Sequence, residues 1–294
     1  MTTVPRLGVV LVGLGGGPGD ADAVAFAAAW CRAGGDRMLL VTVHPGPAAP
    51  GAGRVDAEWV AYEHAEADRL LLRVRAGAPA DVDVDTRQVE ASSAAHGLHD
   101  LAEELDEPLV VVGTTRTAGH RRTLPGSTAE RVLSGSPGAV AIVPHAYAEH
   151  PVENIRRVAV AYVDTPDGRT ALDHANAVAR HLGAELVVVS VVPDTLMRPT
   201  LGEPARFADA QRKVFADALD AAVSRTEGDV PVRPRLREGP VADTLAELGP
   251  DDADVLVCGS RGYGPVRRVL LGGVSNRLVR QARLPVVVVP RGGG

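Results

Sequence analysis

Residues 256–290 read LVCGSRGYGPVRRVLLGGVSNRLVRQARLPVVVVP, and residues 110–144 read VVVGTTRTAGHRRTLPGSTAERVLSGSPGAVAIVP. Laid over each other without a gap, they share landmarks at one offset. Gly113 and Gly259, Gly126 and Gly272, Arg131 and Arg277, and Val143 and Val289 all lie 146 apart. Several matches at one offset point to a duplication, and at so long a period to two domains rather than a solenoid. Each copy starts on a Val-rich run, passes through a glycine loop into a helical pattern, and ends on a second Val-rich run. Short continuous apolar runs of this kind are strands buried on both faces, which belong to parallel sheets covered by helices.

The rest of each half follows the same alternation. In the first, LGVVLVG, RMLLVTV, VDVDTRQV, PLVVVG and AVAIVP read as strands, with helices starting near Asp20, Asp56, Ser93 and Ser127. In the second, RRVAVAYV, AELVVVSVV, VRPRLRE, DVLVCG and PVVVVP are strands, and helices start near Asp167, Glu203, Pro240 and Gly273. In the helix around PARFADAQRKVFADALDAAV, helical spacing places Phe207, Val214, Ala218 and Ala222 near one core-facing side. The halves are expected over 1–146 and 155–294, with 147–154, inside the polar HAYAEHPVEN, as linker.

Composition narrows the function classes. A hydrophobic fraction of 45% supports sizeable cores, but only 3% is aromatic, so packing rests on Ala, Val and Leu. A net charge of −6 argues against nucleic acid or an anionic membrane as the main partner. No apolar run approaches the ~18 residues of a membrane helix. RLGVVLVGLGGG reads as a strand rather than a signal core, because RRVAVAYVD repeats it mid-chain. Cys31 and Cys258 make no disulfide framework and are expected as free thiols in a reducing, cytoplasmic setting.

Gly259 and Gly262 follow the fourth strand of the second half, where backbone N–H groups can face a ligand. Gly272 and Gly273 precede a helix, whose unpaired N-terminal N–H groups suit phosphate. The spacing Gly259-x2-Gly262-x9-Gly272 resembles the ATP-binding signature of the universal stress protein family, and the duplicated architecture resembles its tandem form. The resemblance covers nearly all of both halves. It implies two tandem open five-stranded parallel sheets with helices on both faces, order 3-2-1-4-5, of the adenine nucleotide alpha hydrolase-like fold.

Carried onto this sequence, the resemblance assigns adenosine recognition to Asp164 and Val191, and the phosphates to Gly259, Gly262, Gly272, Gly273, Val274 and Ser275. Gly273 stands where the family has Ser or Thr, which removes one hydroxyl donor. The first half departs differently: Gly15 occupies the Asp position and Arg116 replaces the second glycine, while Gly113, Gly126, Ser127 and Thr128 keep their spacing. Arg116 can project away, pair with phosphate or fill the pocket. The resemblance therefore implies a stress-response regulatory protein that binds ATP, with or without magnesium, mainly in the second half. The alternative is a nucleotide-free interaction or scaffold module. No well-placed general base is visible, so at most slow ATP hydrolysis is expected. The Val-rich final strands are expected to pair antiparallel, as the family's do, in an intramolecular pseudo-dimer, with a further homodimer open.

Other chemistries find less support. GLGGGPG breaks the dinucleotide fingerprint at Pro18, and no phosphate-loop lysine follows. His96 and His99 have the i, i+3 spacing of a ligand pair but no third ligand, and read as a solvated face. Ser136 and Ser260 lack the context of a catalytic nucleophile. The pairs Arg121–Arg122 and Arg267–Arg268 read as solvated surface within reach of a phosphate.

Overall fold

β1 (Val9–Leu14) shows why the Val-rich runs become central strands: Val10, Leu11 and Val12 are consecutive and each is at most 1% exposed. Consecutive burial requires cover on both faces of the sheet. The structure, a computed structural model, describes residues 8–46, 54–116, 123–124, 127–194, 204–226, 230–260 and 272–290. These fall into two units, one ending at Glu153 and the other starting at Asn154.

In the first unit β1 is followed by α1 (Gly19–Gly34), β2 (Arg37–His44), α2 (Arg54–Ala76), β3 (Val84–Glu90), α3 (Ala94–Glu104) and β4 (Leu109–Gly113). A two-residue hairpin, β5 (Thr115–Arg116) with β6 (Thr123–Leu124), then leads to α4 (Ser127–Leu133) and β7 (Val140–Val143). The five long strands lie in the order β3-β2-β1-β4-β7. All are parallel, with Leu11 beside Leu39 on one side and Val110 on the other.

The second unit repeats the plan with β8 (Arg157–Ala161), α5 (Pro166–Leu182), β9 (Glu185–Pro193), α6 (Pro204–Arg225), β10 (Val232–Gly239), α7 (Val241–Ala246), β11 (Val255–Gly259), α8 (Gly273–Gln281) and β12 (Val286–Val289). Its order is β10-β9-β8-β11-β12, again parallel, with Ala159 between Val187 and Leu256. Both units therefore have the expected 3-2-1-4-5 order.

Packing follows from the small residues. Ala23, Ala27 and Ala28 bring α1 close to the sheet, and Phe26 and Trp30 fill the remaining space with ring centroids 5.9 Å apart. Burying each large apolar side chain contributes roughly 1.5–3 kcal/mol. β10 carries exposed charge and Pro234, with Arg233 paired to Glu185 at 2.9 Å, which suits a sheet margin. The turn Tyr147–Glu149 packs on α1, where buried Asp22 accepts hydrogen bonds from Ala146 N and Ala148 N at 3.1 and 2.7 Å.

Two expectations need correction. Val214 is 61% exposed, whereas the expected Ala222 is buried and the expected Ala218 half-buried, and the buried side of α6 is completed by Leu219 and half-buried Phe215 in place of Val214. Phe207 lies among residues whose side chains are not described. His99 is not simply solvated either: its Nε2 meets the Val132 carbonyl of α4 at 2.8 Å, tying two helices together. Cys31 and Cys258 are buried free thiols, and desolvation pushes each to about 12. Among the described residues, no helix is long and apolar enough to cross a membrane.

Candidate functional site

Strand order reverses direction between β8 and β11, and in open parallel sheets ligands bind beyond the carboxyl ends of strands at such a switch point. After β8 the chain runs through Tyr162, Val163, Asp164 and Thr165 into α5. Thr165 is extended and caps the helix, its Oγ1 accepting from Gly168 N at 3.1 Å, and Pro166 sits in the first turn where no N–H is needed. Asp164 is half exposed. Its Oδ1 receives Arg169 Nη1 at 2.6 Å and the Tyr162 hydroxyl at 3.2 Å. The Arg169 hydrogen bond, foremost, holds this carboxyl below its ordinary 3.8. Burial, and after it Asp164, pushes the Tyr162 hydroxyl up.

A cleft of about 350 Å³ opens over these strand ends. It is lined by Tyr162, by Val191 of β9 and Phe215 of α6, by Gly259 with Ser260, and by the start of α8. A Cβ on Gly259 would lie 3.3 Å from the Asp167 carbonyl oxygen, a tight fit that leaves little room for a side chain. At the start of α8, Ser275 Oγ accepts from Gly272 N at 2.9 Å and donates to the Gly272 carbonyl at 3.2 Å. That hydroxyl is thus engaged in capping its own helix, leaving the orphan N–H groups of the first turn as the helix's donors.

The cleft therefore gathers Val191, Gly259, Gly272, Val274 and Ser275. Asp164 and the exposed Gly273 stand outside its lining, and Gly262 lies outside the described residues. Tyr162, Phe215 and Ser260 were missed by sequence reasoning. For Ser260 the signal was its place directly after Gly259. An apolar cleft with a helix N-terminus at one side suits a flat ring carrying an anionic tail.

The matching region of the first unit is built differently. Gly15 N and Gly16 N donate to the Asp20 carboxylate at 3.0 and 2.8 Å, so the glycine turn is closed by its own acid. A Cβ on Gly113 would lie 1.9 Å from the Gly19 carbonyl oxygen, and one on Gly19 would lie 2.7 Å from that of Thr114. Here the start of α1 rests on the end of β4. A cleft of about 440 Å³ in this unit lies instead between α1 and α2, against Val24, Leu70 and Arg73. Ser127 and Thr128 open α4, their side chains undescribed, and Gly126 with the pairs Arg121–Arg122 and Arg267–Arg268 lies outside the described residues.

The universal stress protein family model matches this sequence twice, over residues 7–144 and 154–290. A universal stress protein of Mycobacterium tuberculosis is 28% identical over 257 residues, covering 82% of this chain and 85% of the relative. One from Mycolicibacterium smegmatis is 29% identical over 203 residues, covering 69% of this chain and 67% of its own. Among solved structures, a universal stress protein from Archaeoglobus fulgidus superposes with a TM-score of 0.68 at 19% identity, covering 98% of this chain and 100% of that one, a likeness of fold.

Proposed function

The chain belongs to the universal stress protein family, and from that premise we propose that it is a cytoplasmic regulatory protein of the stress response whose second unit binds ATP or a related adenine nucleotide. The supporting observation is the cleft at the carboxyl ends of β8, β9 and β11, which brings Val191, Gly259, Gly272, Val274 and Ser275 to one place. Val191 and the Tyr162 ring edge offer an apolar seat for the base, and Asp164 reaches the ribose hydroxyls once it leaves Arg169. The first turn of α8 takes the phosphates through Gly273 and Val274 N–H groups, where a helix N-terminus favours negative charge. The first unit's loop donors at Gly15 and Gly16 are already satisfied by Asp20, which leaves the second unit as the binding one. Binding rather than turnover is the activity, and occupancy is the signal.

Purified protein, denatured and run on an anion-exchange column, is expected to release adenine nucleotide, and ATP added to stripped protein is expected to raise its unfolding temperature. Absence of released nucleotide, together with no thermal shift from ATP, ADP or AMP, would overturn this reading.

A further inference from the structure

Helix α2 turns three large apolar side chains to solvent: Trp59 is 51% exposed, Tyr62 56% and Leu72 69%. Among the described residues only Val163 and Val214 share that condition. The chain is 3% aromatic and holds two tryptophans, so leaving one of them in water with a tyrosine one turn on is a departure. Scattered exposed apolar residues are ordinary, whereas a row of them along one helix marks a contact surface. Helical spacing puts Tyr62, Arg69 and Leu72 on the outer side, flanked by Glu58, Trp59 and Arg73. Buried Ala67 and Leu71 face the sheet.

Charge along this helix is segregated. Between Asp56 and Asp68 all charged residues are acidic, with His64 taken as neutral, and from Arg69 to Ala76 all are arginine. The helix macrodipole favours that order, but it does not ask for exposed aromatics. The equivalent helix of the second unit, α6, intersperses the two signs and closes them locally. There Lys213 meets Asp217 at 3.2 Å, and Arg212 meets Asp209 and Glu238 at 2.9 and 2.6 Å. On α2, Arg69 meets Glu66 at 2.7 Å, an exposed pair of the kind that contributes little and exchanges readily.

We propose that the outer face of α2 is a self-association surface, on which a second copy of the chain lays its own α2 antiparallel across a twofold axis. Such an interface must be complementary to itself, and this face is. Centred between Ala65 and Glu66, the antiparallel pair sets Tyr62 level with the partner's Arg69. It sets the turn of Glu58 and Trp59 level with the turn of the partner's Leu72 and the partner's Arg73. Acid then faces arginine at both ends, and each aromatic faces an apolar or guanidinium surface. A parallel pair would set acid on acid and arginine on arginine. The contact from Glu58 to Arg73 is about four helical turns long. That is small for a stable interface, so the dimer should be weak and weakened further by salt.

Sedimentation velocity of the full chain over a range of concentrations, at low and high salt, tests this. Wild type is expected to self-associate, more strongly at low salt, and Trp59→Ala to weaken association at least tenfold, as loss of an aromatic anchor does. Glu58→Arg and Arg73→Glu each set like charges level in a homodimer, so each alone should be monomeric where wild type is dimeric. Mixed in equal amounts, the two variants restore opposite charges at both ends, and the mixture should associate. That recovery would also show that both variants fold. A wild type monomeric at every concentration, association indifferent to Trp59→Ala, or a mixture that stays monomeric would each overturn the proposal.

Discussion

Gly113 and Gly259 end equivalent strands, yet a Cβ on the first would meet the Gly19 carbonyl oxygen at 1.9 Å, whereas one on the second would meet the Asp167 carbonyl oxygen at 3.3 Å. In the first unit the glycine lets the helix rest on the strand end. In the second it holds that helix further off and faces a cleft. The loops agree with this division. Asp20 consumes the N–H groups of Gly15 and Gly16, while Asp164 turns outward to Arg169. One repeated glycine thus serves packing in one copy and access in the other, so a shared motif does not imply a shared ligand.

The largest expected effect separates these two glycines. Gly113→Ala should destabilise the protein by about 3 kcal/mol or more, because the obstructing atom is helix backbone and has nowhere to move. Gly259→Ala should cost less than about 1 kcal/mol, since its neighbour need give only slightly. Urea unfolding curves compare them; equal losses would erase the contrast.

Next comes Asp164→Ala, expected to lower ATP affinity roughly ten- to hundredfold if the carboxylate accepts from the ribose. Full affinity in a calorimetric titration would remove Asp164 from the site.

A pH experiment sharpens the first unit's side. Burial raises the Asp20 carboxyl above 3.8, against the opposing backbone donors of Gly15 and Gly16. A raised carboxyl favours folding below the unfolded value, and that contribution is lost as pH rises through the folded value. Between 3.8 and that higher value, stability of wild type should therefore fall relative to Asp20→Asn as pH increases. Parallel stability curves would contradict a raised Asp20 carboxyl.

The smallest effect belongs to Arg169. Its exposed pair with Asp164 is of the kind that contributes little. Arg169→Ala should raise the Asp164 carboxyl toward 3.8, read by NMR titration. It should also tighten ATP binding by about two- to fivefold, by freeing the carboxylate. Weaker binding in this variant would mean that Arg169 holds the ligand rather than competing for it.

Much of the fold was legible because buried parallel strands write themselves as Val runs and because the chain repeats the pattern. Helix starts were readable within a residue or so where a cap or proline marks them, as near Ser93, and near Asp167 where α5 begins at Pro166. On α6 the expected Ala222 is buried but Val214 is not, because an Ala-rich helix offers two nearly equivalent apolar stripes and only packing selects Leu219 over Val214. The hairpin of Thr115–Arg116 with Thr123–Leu124 was invisible, since two-residue strands carry no periodicity. At the candidate site, the resemblance named Gly259, Gly272, Val274 and Ser275, which line one cleft, because glycine and helix-start positions are constrained by backbone. It did not name Asp20 or Ser260, whose contacts depend on where one side chain turns: onto its own loop, or away from an available carbonyl.

The central claim is a single nucleotide site per chain, in the second unit, and calorimetric stoichiometry tests it most directly. Titrated with ATP, stripped wild-type protein should bind one nucleotide per chain; Gly259→Val, which crowds the cleft, should abolish that binding, and Ser127→Ala should leave it intact. Two ATP per chain, or a single site that survives Gly259→Val and is lost in Ser127→Ala, would contradict it and place the working site in the first unit.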